Sequence, residues 1–210
     1  MRRIAPTAEA RSSADGGFTL VEVIVALALM SIVMLSTVAV FIGTVKASAG
    51  DQRRQGATQA ADAAMEYVRS VAPTLNASGL SNLVSGRTAA AVATQWSALS
   101  AAVDLSQTNQ ASDPNATTSS TPVVPITQAP PNGPVIAGQP YTVNTVVGTC
   151  YLLATTCSQT NAGGSVMMFR VIVVVSWTPG NGSTCSGQGC QYVLSTLINP
   201  STDPTFDIRS

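Results

Sequence analysis

Gly16-Gly17-Phe18-Thr19-Leu20-Val21-Glu22 runs directly into Val23-Ile24-Val25-Ala26-Leu27, and the order of these pieces decides how the chain is built. A polar leader holding Arg2, Arg3 and Arg11 ends in two small residues, and a long apolar run with one acid at its start follows. From residue 23 to residue 45 there is no charge before Lys46. A helix crossing a hydrocarbon layer of about 30 Å needs about 20 apolar residues, so this run is long enough to span a membrane. In an ordinary export signal the cut follows the apolar core, which is then discarded. Here a cut after Gly17 would keep it.

Glu22 is the acid at the start of that run. A carboxylate within a lipid-facing helix costs up to roughly 2.5–3.5 kcal/mol on insertion scales, less near the interface, and such residues usually mark function. It needs a partner, and if Phe18 becomes a new N-terminus its ammonium supplies one. An acid that simply snorkels to the headgroups is the plainer alternative.

The stretch Gly17-Phe18-Thr19-Leu20-Val21-Glu22 followed by Val23-Ile24-Val25-Ala26-Leu27 resembles the leader junction of type IV prepilins and pseudopilins. The resemblance covers about the first third of the chain. It implies cutting after Gly17 by a prepilin peptidase and N-methylation of Phe18. It also implies that Glu22, fifth in the mature chain, pairs with the terminal amine of a neighbouring subunit. A helix-breaking proline found in the span of many pilins is absent, so the span is expected to stay helical throughout.

Composition narrows the rest. With 210 residues, a formal net charge of +0 and 10% charged residues, the chain is about one domain in size and weakly charged. Its Lys and Arg are few, with no basic stripe to neutralise phosphates, so no nucleic-acid partner is evident. Histidine is absent, which removes the usual general base and the commonest metal ligand. Beyond the span the carboxylates Asp51, Asp62, Glu66, Asp104, Asp113, Asp203 and Asp207 are too dispersed to point to an acid/base pair. No phosphate-binding glycine motif occurs, and Gly163-Gly164 reads as a turn. The expectation is a non-enzyme with no cofactor, no metal and no small-molecule substrate.

Cys150, Cys157, Cys185 and Cys190 all lie in the C-terminal third. Their spacings are not those of zinc sites, and no His could complete a metal shell. An even count in an exported region suggests disulfides, and of the three possible connectivities the local pairs Cys150–Cys157 and Cys185–Cys190 are favoured. Four reduced, buried thiols are the competing reading.

The predicted domain plan is a leader over 1–17, a transmembrane and assembly helix over 18–45, an amphipathic helix over 46–72, an Ala/Ser/Thr/Pro-rich variable region over 73–140 and a sheet head over 141–210. No proline interrupts residues 7–72, although Gly43, Gly50 and Gly56 each weaken a helix by about 1 kcal/mol. Ala57, Ala61, Ala64, Val68 and Val71 draw an apolar stripe suited to a sheet, while Asp51, Arg53, Arg54, Asp62, Glu66 and Arg69 fall off it. Residues 89–105 predict a short helix with Trp96 and Leu99 inward. Residues 112–134, with six prolines among Ser and Thr, predict an exposed loop.

In residues 166–177, Met167, Phe169, Val171, Val173, Val175 and Trp177 alternate with Arg170 and Ser176 on the other face, the period of a half-buried strand. Further strands are expected over 141–147, 150–154 and 191–198, with a long hairpin loop over 178–190. The predicted fold is α+β: a long N-terminal helix laid on a C-terminal antiparallel sheet, the arrangement that the resemblance also implies.

Three functions compete. The first is a structural subunit, a minor pilin by the size of its head, of a type IV pilus-like surface filament. Its partners would be the prepilin peptidase, other pilin subunits through the N-terminal helix, and the membrane. It would sit first in the cytoplasmic membrane with its head outside, then at the cell surface. The second is a pseudopilin of a type II secretion or DNA-uptake system, with the same N-terminal chemistry. The third, of another class, is a single-span protein with an adhesive or ligand-binding head.

Overall fold

Leu20–Ser70 forms one 51-residue helix, α1, in the computed structural model, which describes residues 19–71, 81–179, 185 and 190–200. No proline interrupts the helix, and its glycines are too few to break it. The chain divides into two compact units, Met1–Val45 and Lys46–Ser210. Within the first, the described residues present apolar side chains to their surroundings on every side of the helix.

The second unit is the expected α+β head: the later part of α1 packs on an antiparallel sheet. After α1 come α2 (Ala89–Leu99), β1 (Asn109–Gln110), β2 (Thr127–Gln128), β3 (Val135–Ile136), β4 (Gln139–Leu153), β5 (Thr156–Ser158), β6 (Val166–Trp177) and β7 (Cys190–Ile198). β4, β6 and β7 make the body of the sheet, while the short strands β1, β2, β3 and β5 patch the other edge of β4. The β4–β6 register runs from Tyr141 opposite Trp177 to Leu152 opposite Val166. Runs of Val and Ile in β4 and β6 suit pleated, buried backbone.

Two cores form, one on each face of the sheet. On the first, Ala57, Ala61, Met65 and Val68 of α1 meet Tyr141, Val143, Phe169, Val171, Val173 and Val175, and the partly buried Ala64 and Val71 join them. The predicted stripe is therefore the packed face, widened by Ala60 and Met65. On the second, Leu99 and Leu105 cover Val146, Ile172 and Val174, with Trp96 and Val103 alongside. The opposite face of β6 was expected to be solvated because it carries Arg170 and Ser176. Ile172 and Val174 between them are instead fully buried, because α2 and the segment after it roof that face.

Four further details depart from the sequence reading. Residues 141–147 and 150–154 are not two strands but the single strand β4. Gly148, between the two expected strands, is a point of close approach: a Cβ there would lie 3.0 Å from the Trp96 ring and closer still to Thr108 and the Asn109 carbonyl. α2 ends at Leu99, not at residue 105; Thr88 caps its start, its side chain accepting from the Ala91 N–H. The Pro-rich stretch is not wholly exposed, since Val124 is buried and β2 pairs with β4. Residues 180–184 and 186–189 of the predicted 178–190 loop lie outside the described residues.

Candidate processing and assembly segment

At the N-terminal end of α1, Thr19 precedes the first helical residue, and its hydroxyl oxygen accepts the Glu22 N–H at 3.3 Å. Its carbonyl takes the Glu22 and Val23 N–H groups at 3.0 and 3.2 Å. Thr19 is thus the N-cap and Glu22 the third helical residue. There a carboxylate faces the positive end of the helix dipole, a favourable placement that by itself requires no partner subunit. Thr-x-x-Glu before an apolar run is the sequence signature of a capping box. Glu22 is exposed on the helix. Gly17 and Phe18, the expected cleavage and methylation residues, lie outside the described residues, as does the leader over 1–17.

Past Glu22 the helix is shaped for lipid. It is long and apolar enough to cross a membrane, with none of its most apolar window buried in the protein. Its few polar side chains are quenched locally. Ser31 donates to the Leu27 carbonyl at 2.7 Å, Ser36 to Ile32 at 2.8 Å, Thr37 to Val33 at 2.7 Å and Thr44 to Phe41 at 2.8 Å. Hydroxyls bonded to carbonyls three or four residues back need no further partner in hydrocarbon, so they do not oppose insertion.

In the head, Cys150 pairs with Cys157 across β4 and β5, and Cys185 with Cys190 at the start of β7, with Cα separations of 5.5 and 5.0 Å. Among the described residues, no group of His, Cys, Asp and Glu could hold a metal ion. Gln59, Ala64 and Tyr67 of α1, with Val124, Pro134 and Ile136, line an open groove of about 550 Å³ whose walls bear no charge.

The head also buries a cation that sequence reasoning missed. Arg87 is fully buried, donating to the carbonyls of Val124 at 3.0 Å and Thr145 at 2.6 Å and to Gln95 Oε1 at 3.2 Å, while its Nε–H has no partner. Burial lowers its pKa to about 10. An isolated Arg in a Ser/Ala-rich segment carries no sequence sign of burial. Its role is structural: it ties the Pro-rich stretch to β4.

A family model described as the prokaryotic N-terminal methylation motif matches residues 12–38. The match contains Gly17, Phe18, Thr19 and Glu22, so the chain carries a prepilin-type signal. No curated protein and no solved structure matches the chain.

Proposed function

We propose that this chain is a prepilin, and that its mature form, beginning at Phe18, is a minor structural subunit of a type IV pilus-like filament. The observation that carries this reading is the coincidence, at residues 12–38, of the methylation motif with the start of a helix exposed and apolar on all sides. A prepilin peptidase cuts after Gly17, and the Phe18 amine is methylated. Residues 18–45 hold the precursor in the membrane with the head outside. On assembly, lipid contacts of that helix are exchanged for contacts with the helices of other subunits.

In that exchange Glu22 takes the Phe18 ammonium of a neighbouring copy. An unpaired carboxylate in an apolar filament core would cost several kcal/mol, so the pair fixes axial register. The capping geometry at Thr19 supports the role, because it holds Glu22 on the first turn, close along the chain to the new terminus. Mass spectrometry of the mature protein tests the proposal: an N-terminus at a methylated Phe18 is expected. An intact Met1, or loss of the apolar helix, would overturn it.

A further inference from the structure

The hairpin of β3 and β4 turns through Ala137 and Gly138, and its tip lines a small cleft together with Ala49, Gln52 and Arg53 of α1. Val135 on this hairpin is 61% exposed, and Ala137, Gly138 and Pro140 are exposed as well. No residue from 114 to 140 is charged. On the neighbouring turns of α1, Lys46 and Arg54 are exposed and Arg53 is half-buried, with Asp51 the one acid among them. An uncharged, partly apolar loop tip beside a cluster of cations is the composition of an element that lies in a membrane interface.

We propose that the β3–β4 hairpin, with Lys46, Arg53 and Arg54, docks on the phosphate layer of an anionic phospholipid bilayer while the precursor waits in the membrane. The inference rests on the reading of residues 18–45 as the span. Ala49 is four residues past Val45, the last residue of the uncharged run. Four residues of chain reach about 6 Å as helix and no more than about 14 Å fully extended. The headgroup layer outside the hydrocarbon is itself about 5–8 Å thick. The hairpin tip, across a shared cleft from Ala49, is therefore kept near the phosphates by chain length. Lys46, Arg53 and Arg54 meet them as cations, and Val135 enters the acyl boundary. Docking would hold the head down until assembly lifts it away.

The test uses the full chain reconstituted in vesicles of phosphatidylcholine with or without phosphatidylglycerol. Single tryptophans are introduced as Val135→Trp, Leu153→Trp at the opposite end of β4, and Phe41→Trp in the span. Quenching by lipids brominated at known depths is read as the difference from the unsubstituted chain. Quenching of Val135→Trp at headgroup depth, stronger with phosphatidylglycerol and absent for Leu153→Trp, is the expected result. Adding Lys46→Glu and Arg54→Glu should lower the docked-to-undocked ratio by on the order of fivefold for each cation lost.

Unquenched Val135→Trp beside quenched Phe41→Trp would overturn the docking while leaving the span in place. Unquenched Phe41→Trp would instead sink the span and the docking with it. Equal quenching with and without phosphatidylglycerol would remove the anionic headgroup as the partner. Protection of Val135→Trp that grows with protein-to-lipid ratio would show a second copy on this surface, and would overturn the proposal too.

Discussion

The Tyr141 hydroxyl donates to the Arg53 carbonyl at 2.9 Å while its ring lies where a side chain on Gly56 would stand. A Cβ at position 56 would sit 2.9 Å from the ring Cζ and closer to the hydroxyl. Tyr141 is itself buried and packs at 6.0 Å from the Trp177 ring, so it has little room to yield. This is how α1 meets the start of β4: a bare patch on the helix admits a ring from the sheet.

Gly56→Ala should therefore destabilise the head, although alanine favours a helix by about 1 kcal/mol. Overpacking of a filled core costs about 1–3 kcal/mol and wins. A fall in melting temperature of about 2–4 °C for the purified chain in detergent is expected. A rise would show that the ring moves freely and that the contact does not constrain the helix.

The pH dependence of stability should be flat in the middle, fall at the acid end and carry two opposed contributions at the alkaline end. Burial raises the Tyr141 pKa, with Arg53 opposing the shift, so the folded chain holds the phenol proton more tightly than the unfolded one. That contribution is complete below the unfolded value near pH 10 and is lost as pH rises through the raised folded value. For Arg87 the sign is reversed, because burial lowers its folded pKa to about 10. Its burial penalty is constant below that pH and is relieved as pH rises from there toward the higher unfolded value. Hydrogen bonds from the Ser106 hydroxyl and backbone lower the Asp104 pKa, a contribution present above the unfolded value and lost as pH falls through the folded one. Melts across pH should thus show that Tyr141→Phe lacks the falling part of the alkaline limb, and that Ser106→Ala is weaker than the parent above the carboxylate pKa and converges with it as pH falls. An unchanged alkaline limb in Tyr141→Phe would remove Tyr141 as its source.

Arg87→Ala should be among the most damaging single changes in the head. It removes donors to the Val124 and Thr145 carbonyls and opens a cavity, for a loss of about 3 kcal/mol or more in urea unfolding. Arg87→Lys keeps the charge but cannot fork to two carbonyls and Gln95 Oε1 at once, so it should recover only part of the loss. Full recovery with lysine would mean that the charge, and not the fork, ties the strands.

Substitutions at the start of α1 separate local from intermolecular roles. Thr19→Ala should cost about 0.5–2 kcal/mol of helix-end stability, seen as faster amide exchange over the first turn. Glu22→Gln should leave membrane insertion intact while lowering recovery of the protein in sheared filaments. Normal incorporation of Glu22→Gln would reduce Glu22 to a favourable helix-end residue.

Periodicity made most of this fold legible. The stripe from Ala57 to Val71 and the alternation in β6 pointed to one helix face and one sheet face, and those faces meet. What stayed hidden depends on distant chain. Ile172 and Val174 read as the back of a half-buried strand because nothing in their neighbourhood announces that α2 folds over them. Gly56 reads as a weakness because a glycine beside an aromatic ring looks, in sequence, like a glycine beside nothing. The N-terminal segment was legible because its signal is local and ordered, whereas Arg87 draws its partners from 8, 37 and 58 residues away.

Between Asp113 and Asp203 the only charged residue is Arg170, and its guanidinium is spent on the Thr108 hydroxyl at 2.8 Å. All of β2 through β7 thus comes from chain that is otherwise electrically silent. When copies crowd together, surfaces built from such chain neither push each other apart nor call on counterions to mediate. Their contact would proceed alike in fresh water and in brine, with shape and apolar fit left to choose the neighbour.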